Sequence, residues 1–335
     1  MDKHRIRWGI LGVAKIAVEK IIPAIQRGET GVVAAIASRS ADKAQAAAAR
    51  FGIAAAYGAY EALLADPDVD AVYIPLPNDL HVPWSLRALA AGKHVLCEKP
   101  IARDAAEAAQ LLAARGRSSL LLMEAAMVRT HPRWLGAHEL VRSGRVGELR
   151  AMTGFFSYFN DSPTNIRHRP GAGGGGLLDI GFYPTTMARF IFEAEPLRVM
   201  GLLEIDPRFG VDRLASAILE FSAGHAIFTC ATQLVPHQSV DILGTRGRIG
   251  IEIPWSMPHD RPSRLLLDDG SRPAGEGAQE IAFPACDQWG VMCDRFCEAV
   301  MGGGPAPVPI EDAIANMRVL DALARSAESG RWEAP

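Results

Sequence analysis

Along the first third of the chain, short apolar runs alternate with longer stretches of helical period. Residues 7–11, 32–37, 54–57, 71–74, 94–97 and 119–123 read as strands, and 16–27, 42–51, 60–65, 82–91 and 104–115 as helices. The strand runs are apolar throughout rather than alternating, which predicts a sheet covered on both faces. Helices between successive strands predict right-handed β-α-β crossovers, and therefore a doubly wound parallel sheet of the Rossmann type. After Met123 the pattern changes. A helix is predicted over 132–143, followed by longer strands with hairpin punctuation: 214–221 and 225–232 around Ser222-Ala223-Gly224, and 240–243 and 248–253 around Gly244-Thr245-Arg246-Gly247. Residues 258–277, polar and rich in Pro, Gly and Asp, read as a surface excursion. Two helices, 288–301 and 311–328, flank the Gly/Pro-rich stretch 302–309. This half is thus expected to be α+β with a mainly antiparallel open sheet. The division predicted is a dinucleotide-binding domain, 1–123, and a substrate-binding and oligomerisation domain, 124–335. An open sheet with few helices to cover it predicts a homodimer or homotetramer through that sheet.

Composition narrows the function classes. The chain has 335 residues, 49% hydrophobic and 22% charged, which suits two globular domains. A net charge of −3 lacks the basic footprint of a nucleic-acid binder. No apolar run approaches a membrane span, and the start, Met1-Asp2-Lys3-His4-Arg5, lacks the apolar core of a signal peptide. Five scattered cysteines are not a disulfide framework, so a cytoplasmic protein is expected. Cys293 and Cys297 stand four apart on a predicted helix, where a zinc site is conceivable, but small buried hydrophobes fit better. No bound metal is expected.

Candidate chemistry gathers at the strand ends. Gly12-Val13-Ala14-Lys15-Ile16-Ala17 lies between the first strand and first helix, where a dinucleotide fingerprint asks for G-x-G-x-x-G/A. Gly12 makes the turn, Ala17 allows close packing, and amides around Lys15 and Ile16 would hold a pyrophosphate. Ala14 stands at the second glycine position, so the motif alone is weak. The second strand ends in Ser38-Arg39-Ser40, with Lys43 one turn on. No carboxylate is present there to repel a 2′-phosphate, and Arg39 can bind one, so NADP is favoured and NAD possible. The fourth strand leads to Pro77-Asn78 and His81, the fifth to Glu98-Lys99-Pro100. Ligands of such sheets sit beyond these strand ends. A lysine in a dry crevice has a lowered pKa and can join in proton transfer. In the second half, Gly173–Gly176 leads into Leu177-Leu178-Asp179-Ile180-Gly181-Phe182-Tyr183-Pro184. The glycines permit close backbone approach to cofactor or substrate. Asp179 and Tyr183, four apart, share one face of a helix. Asn165 and Arg167, just before the glycine run, are candidates to hold substrate hydroxyls.

Taken together, Gly12-x-Ala14-x-x-Ala17, Pro77-Asn78-x-x-His81, Glu98-Lys99-Pro100 and the segment around Asp179 and Tyr183 resemble the glucose–fructose oxidoreductase/inositol dehydrogenase (Gfo/Idh/MocA) family over nearly the whole chain. Tyrosine at 183, with Met123-Glu124-Ala125 and Arg129-x-His131-Pro132, resembles the subgroup of aldose (xylose-type) dehydrogenases and dimeric dihydrodiol dehydrogenase. The resemblance implies hydride transfer between a nicotinamide and a secondary alcohol or hemiacetal carbon of a sugar or cyclic polyol. It makes Lys99 the catalytic lysine, Tyr183 the acid/base and Asp179 the motif's carboxylate, with these groups also contacting substrate. A free tyrosine ionises near pH 10, and a nearby lysine ammonium would favour its phenolate. A dihydrodiol substrate is the alternative, with Phe155, Phe159 and Trp255 as stacking surfaces for either ligand. A non-catalytic dinucleotide-binding regulator on the same fold is a further one.

Overall fold

The computed structural model describes residues 5–116 and 119–335, so the opening residues 1–4 lie outside it. The first sheet has six strands: β1 (Ile6–Leu11), β2 (Gly31–Ala37), β3 (Ala55–Tyr57), β4 (Ala71–Ile74), β5 (His94–Cys97) and β6 (Leu122–Glu124). All its pairings are parallel, in the order β3-β2-β1-β4-β5-β6. The order reverses between β1 and β4, which is the switch point where such sheets open a crevice. Trp8, Ile10 and Leu11 of β1, and Val72, Tyr73 and Ile74 of β4, are wholly inaccessible, as strands covered on both faces require. The helices are α1 (Ile22–Arg27), α2 (Ala41–Phe51), α3 (Tyr60–Leu64), α4 (His81–Ala90) and α5 (Ala105–Arg115). A π-helical turn, Ala17–Ile21, leads into α1. Ser40 caps α2 and Gly52, at φ 65°, ends it.

The second sheet has eight strands, preceded by α6 (Pro132–Arg142): β7 (Leu149–Phe159), β8 (Arg198–Ile205), β9 (Asp212–Phe221), β10 (Gly224–Ala231), β11 (Gln233–Gly244), β12 (Arg248–Glu252), β13 (Ser263–Asp268) and β14 (Gln279–Phe283). Their order is β14-β13-β12-β11-β7-β10-β9-β8. Both expected hairpins form, β9 with β10 and β11 with β12. The sheet is antiparallel except where β10 lies parallel to β7. The stretch expected to be a surface excursion contains β13, which pairs with both β12 and β14. Its signal was short: within Arg264-Leu265-Leu266-Leu267, Leu265 and Leu267 turn inward while the flanking loops carry the polar residues. Helices α7 (Phe182–Phe192), α8 (Gln288–Gly302) and α9 (Ile310–Ser329) complete the chain.

The compact units are discontinuous. One comprises Met1–Thr130 with Asp287–Ile314, the other His131–Cys286 with Ala315–Pro335, whereas the pattern of runs had suggested one division after Met123. The difference comes from α8, which packs onto the parallel-sheet unit. Phe296 meets the Trp8 ring at 5.3 Å, Asp294 accepts the Thr30 hydroxyl, and Lys20 lies 5.0 Å from the Trp289 ring. Hydropathy reads neighbours along the chain and carries no mark of this distant packing.

Candidate functional site

In the parallel-sheet unit, the loop after β1 is built for a turn that only glycine makes easily. Gly12 sits at φ 118°, and a Cβ there would lie 3.2 Å from Leu76 Cδ2, across the switch point. Its N–H donates to Ala37 O at 2.8 Å, tying the loop to the end of β2. Helical structure begins at Lys15, ahead of the π turn, and the amides of such a helix start are suited to an anionic ligand. Ala14 is accommodated in the turn and its carbonyl accepts the Val18 N–H at 3.1 Å. Lys15 is exposed, 4.0 Å from Glu19. At the end of β2, Ser38 accepts the Ser40 N–H and Ser40 the Lys43 N–H, so both hydroxyls shape the turn. Arg39 and Lys43 remain exposed. Arg39 lies beside Tyr60, where its guanidinium opposes the upward push of burial on the phenol. The Tyr60 hydroxyl is 3.7 Å from a Cβ built on Gly12, which brings the β1 turn and the β2 end together. A glycine turn, a helix start and a neighbouring arginine fit a dinucleotide carrying a 2′-phosphate.

The other strand ends are joined from within. His81, 1% exposed, has Nδ1 at 2.8 Å from Pro100 O and Nε2 at 2.7 Å from Leu76 O. Burial lowers its pKa. Its ring thus lies between the loops that follow β4 and β5. Pro77 and Asn78 are half-buried at the start of the turn leading to α4. Glu98 accepts the hydroxyl of fully buried Tyr73 at 2.6 Å. Lys99 follows, half-buried, before a cis bond to Pro100. Glu124, quoted in a motif but given no role, is 2% exposed and accepts the Ile101 N–H at 2.6 Å. Burial pushes its carboxyl up to about 8, with the Lys99 charge opposing.

In the antiparallel-sheet unit, a second π-helical turn, Leu177–Gly181, runs into α7. Pro184 lies three residues beyond the π turn, within a helical stretch unbroken from Gly176 to Phe192. Asp179 is 8% exposed, accepts the Tyr158 hydroxyl at 2.6 Å and pairs with Arg167 Nε at 2.7 Å. Burial first, and then the Asp179 charge, drives the Tyr158 phenol far above its ordinary range. Asp179 likewise raises the Arg167 guanidinium. Tyr183, 7% exposed, packs against Phe156 at 5.7 Å and Trp255 at 5.8 Å, and its charge would also act on Arg167. Asp179, Arg167 and Tyr183 therefore lie close together. Asn165 serves the local turn, accepting the Arg167 N–H at 3.0 Å.

Three readings change here. Trp255 is fully buried, stacked on Trp134 at 5.4 Å, so it steadies the Tyr183 ring and offers no open stacking surface. Phe155 points to the sheet face opposite Phe156, since neighbours on a strand alternate, and its ring lies against His237. Phe159 is 62% exposed. The glycine run also serves something other than a ligand: a Cβ on Gly174 would meet Arg167 O at 2.4 Å, and one on Gly175 would meet Asp212 Oδ1 at 2.0 Å. Asp212 itself accepts the Leu177 N–H at 2.6 Å. Sequence reasoning missed Asp212, Phe156 and Tyr158. The last two were findable, because 156 and 158 share a strand face; Asp212, on a remote strand start, left no local signal.

A switch-point crevice with a glycine turn, and a unit presenting a Tyr–Asp–Arg cluster around the buried Asp179 beside a second tyrosine, define a nicotinamide-dinucleotide oxidoreductase. The chain belongs to the GFO/IDH/MocA oxidoreductase family: residues 6–125 match its NAD-binding Rossmann fold and 134–250 its C-terminal domain. An uncharacterized oxidoreductase of Rhizobium meliloti is 46% identical over 329 residues, covering 98% of each chain. D-xylose 1-dehydrogenase (NADP(+)) 2 of Haloferax volcanii is 37% identical over 96% of this chain and 98% of its own. The solved 3-ketoreductase KijD10 of Actinomadura kijaniata, in complex with NADP and TDP-benzene, superposes with a TM-score of 0.89 at 32% identity, covering 96% of this chain and 98% of that one. Among the described residues, no helix is long and apolar enough to cross a membrane.

Proposed function

We propose that this oxidoreductase uses NADP in preference to NAD and acts on a secondary alcohol or hemiacetal carbon of a free sugar or related polyol, as an aldose dehydrogenase does. The observation that carries the reading is the pairing of Asp179 with both Tyr158 and Arg167 one helical turn from Tyr183. A carboxylate held by two donors keeps a fixed negative charge and orients the polar groups around a substrate hydroxyl. The bound dinucleotide supplies or takes up hydride. Tyr183 moves the hydroxyl proton, Lys99 steadies the negative oxygen, and Asp179 and Arg167 orient the sugar. Gly12, Ala14, Lys15, Ile16, Pro77, Asn78 and Glu98 hold the dinucleotide, with Arg39 and Lys43 on its 2′-phosphate. Solved variants of the related ketoreductase replace a tyrosine by phenylalanine and a lysine by alanine, the residue types given these roles here.

The test is a panel of aldoses, inositols, polyols and trans-dihydrodiols, each with NAD and NADP, followed by absorbance of the reduced nicotinamide. Turnover of an aldose with NADP, exceeding that with NAD, is expected. Turnover confined to dihydrodiols, or preference for NAD, overturns the corresponding part.

The outer face of the second sheet supports a homodimer or homotetramer. Paired rows across β8, β9 and β10 place Met200, Ile218 and Ile227 side by side, with Leu202 in the next row 72% exposed. Light scattering at micromolar concentration is expected to give a multiple of the 36.0 kDa chain, and a monomer overturns it. A cytoplasmic location fits five cysteines scattered along the chain without a disulfide-framework spacing.

A further inference from the structure

We propose that Asp212 is the positioning residue of the second unit's chemistry: its carboxylate, seated in a notch left by Gly175 and Gly176, fixes the helix start that carries Asp179 and Tyr183. The proposal rests on the reading of Tyr183 as acid/base.

The notch is a matter of geometry. Gly175, at φ 114°, occupies backbone space that other residues rarely enter, and a Cβ there would overlap Asp212 Oδ1 at 2.0 Å. At Gly176 a Cβ would sit 3.3 Å from Asp212 Oδ2. Removing these side chains lets the carboxylate reach the main chain, where Oδ2 accepts the Leu177 N–H at 2.6 Å. The turn so held is Leu177–Gly181, in which the Asp179 N–H donates to Gly175 O at 3.1 Å. The Asp179 side chain then takes Arg167, and the Gly175 N–H donates back to Arg167 O at 2.9 Å. The contacts therefore close a circuit, Asp212 to Leu177 to Asp179 to Arg167 to Gly175, with Asp212 as its link to β9. Asp212 touches no candidate substrate group itself; it acts through the turn. A carboxylate at a helix start also answers the positive end of the helix dipole.

The test uses the full chain with D-xylose and NADP, or the best sugar of the panel above. Asp212→Ala is expected to lower kcat about 10- to 100-fold, the scale of an ångström-size misplacement, while KM changes less than about threefold. Gly175→Ala should do the same. The double variant should be no slower than the worse single variant, since both changes break one contact. Hydrogen exchange without ligand gives a readout apart from activity: deuterium uptake over residues 174–183 should rise in both variants. Asp212→Asn, which keeps shape and one acceptor, replaces Asp212→Ala if the latter does not fold, with a smaller loss expected. If Tyr183→Phe is inactive but Asp212→Ala turns over within twofold of wild type, positioning by Asp212 is overturned and the Tyr183 reading stands. If Tyr183→Phe turns over normally, that reading is lost. Unchanged exchange over 174–183 in Asp212→Ala then removes the anchor as well.

Discussion

Glycine feeds a π-helical turn in both units, Gly12 ahead of Ala17–Ile21 and Gly174, Gly175 and Gly176 ahead of Leu177–Gly181. π turns are rare and recur at functional sites. The two starts are completed in opposite ways. At the first, helical structure begins at Lys15, and the family's dinucleotide phosphate is the anion that suits the amides there. At the second, the protein supplies its own anion, Asp212, on the Leu177 N–H. A glycine-rich segment before a helix therefore marks close approach, but not of what. The approaching group must be found before the motif is called a ligand site.

The sharpest way to break this comparison is at the residue the second start is proposed to serve. Tyr183→Phe removes the hydroxyl proposed to transfer the proton while keeping the ring against Phe156 and Trp255. Turnover is expected to fall about 10²- to 10⁴-fold, the usual worth of an acid/base group, with dinucleotide affinity by fluorescence titration unchanged. Wild-type-like turnover sinks the assignment. A smaller effect is expected from Gly12→Ala, which forces a side chain to φ 118° and crowds Leu76. At about 1–2 kcal/mol for such backbone strain, dinucleotide binding should weaken roughly tenfold. The contrast with Gly175→Ala is the point: there, dinucleotide affinity should stay near wild type while turnover falls. Equal losses of affinity in both would mean that the two glycine segments do the same work.

Much of the first unit was legible because its signals are local. Largely apolar runs mark β1, β4 and β5, and Gly12 and Arg39 are read directly from strand ends. The second unit was less so. The β13 strand was hidden in polar surroundings, and α8 packs onto a sheet more than 200 residues earlier, near Trp8. His81 was read from its motif, but its burial was not visible there: a neutral ring can donate to only one of the two main-chain carbonyls, Pro100 O and Leu76 O, that flank it. Within the second unit, Asp179, Arg167 and Tyr183 were legible from motif and spacing. Their support was not: Trp255 and Asp212 come from distant segments, and alternation along β7 decides that Phe156, not Phe155, meets Tyr183.

The buried Glu124 and the half-buried Asp212 give the last and smallest test, read in stability. Glu124 and Asp212 both accept main-chain N–H groups, and both are raised by burial, to about 8 and about 6. Asp212 is held lower because the Leu177, Asp212 and Gly176 amides favour its charged form, whereas Glu124 has the Ile101 amide. A carboxyl whose folded pKa is raised contributes stability that is complete below its unfolded pKa and lost as pH rises through the folded value. For Asp212 that loss runs from about pH 4 to 6, and for Glu124 from about 4.5 to 8. Glu124→Gln keeps an acceptor for Ile101 and cannot ionise. Its melting temperature relative to wild type should therefore climb by several degrees from pH 5 to pH 9, at about 1.4 kcal/mol per pKa unit as the ceiling. For Asp212→Asn the corresponding climb should be over by about pH 6.5. Melting curves of the full chain measured across this range check both windows. Parallel wild-type and Glu124→Gln curves would show that Glu124 is already ionised in the fold, and that one amide holds its charge as well as three hold that of Asp212.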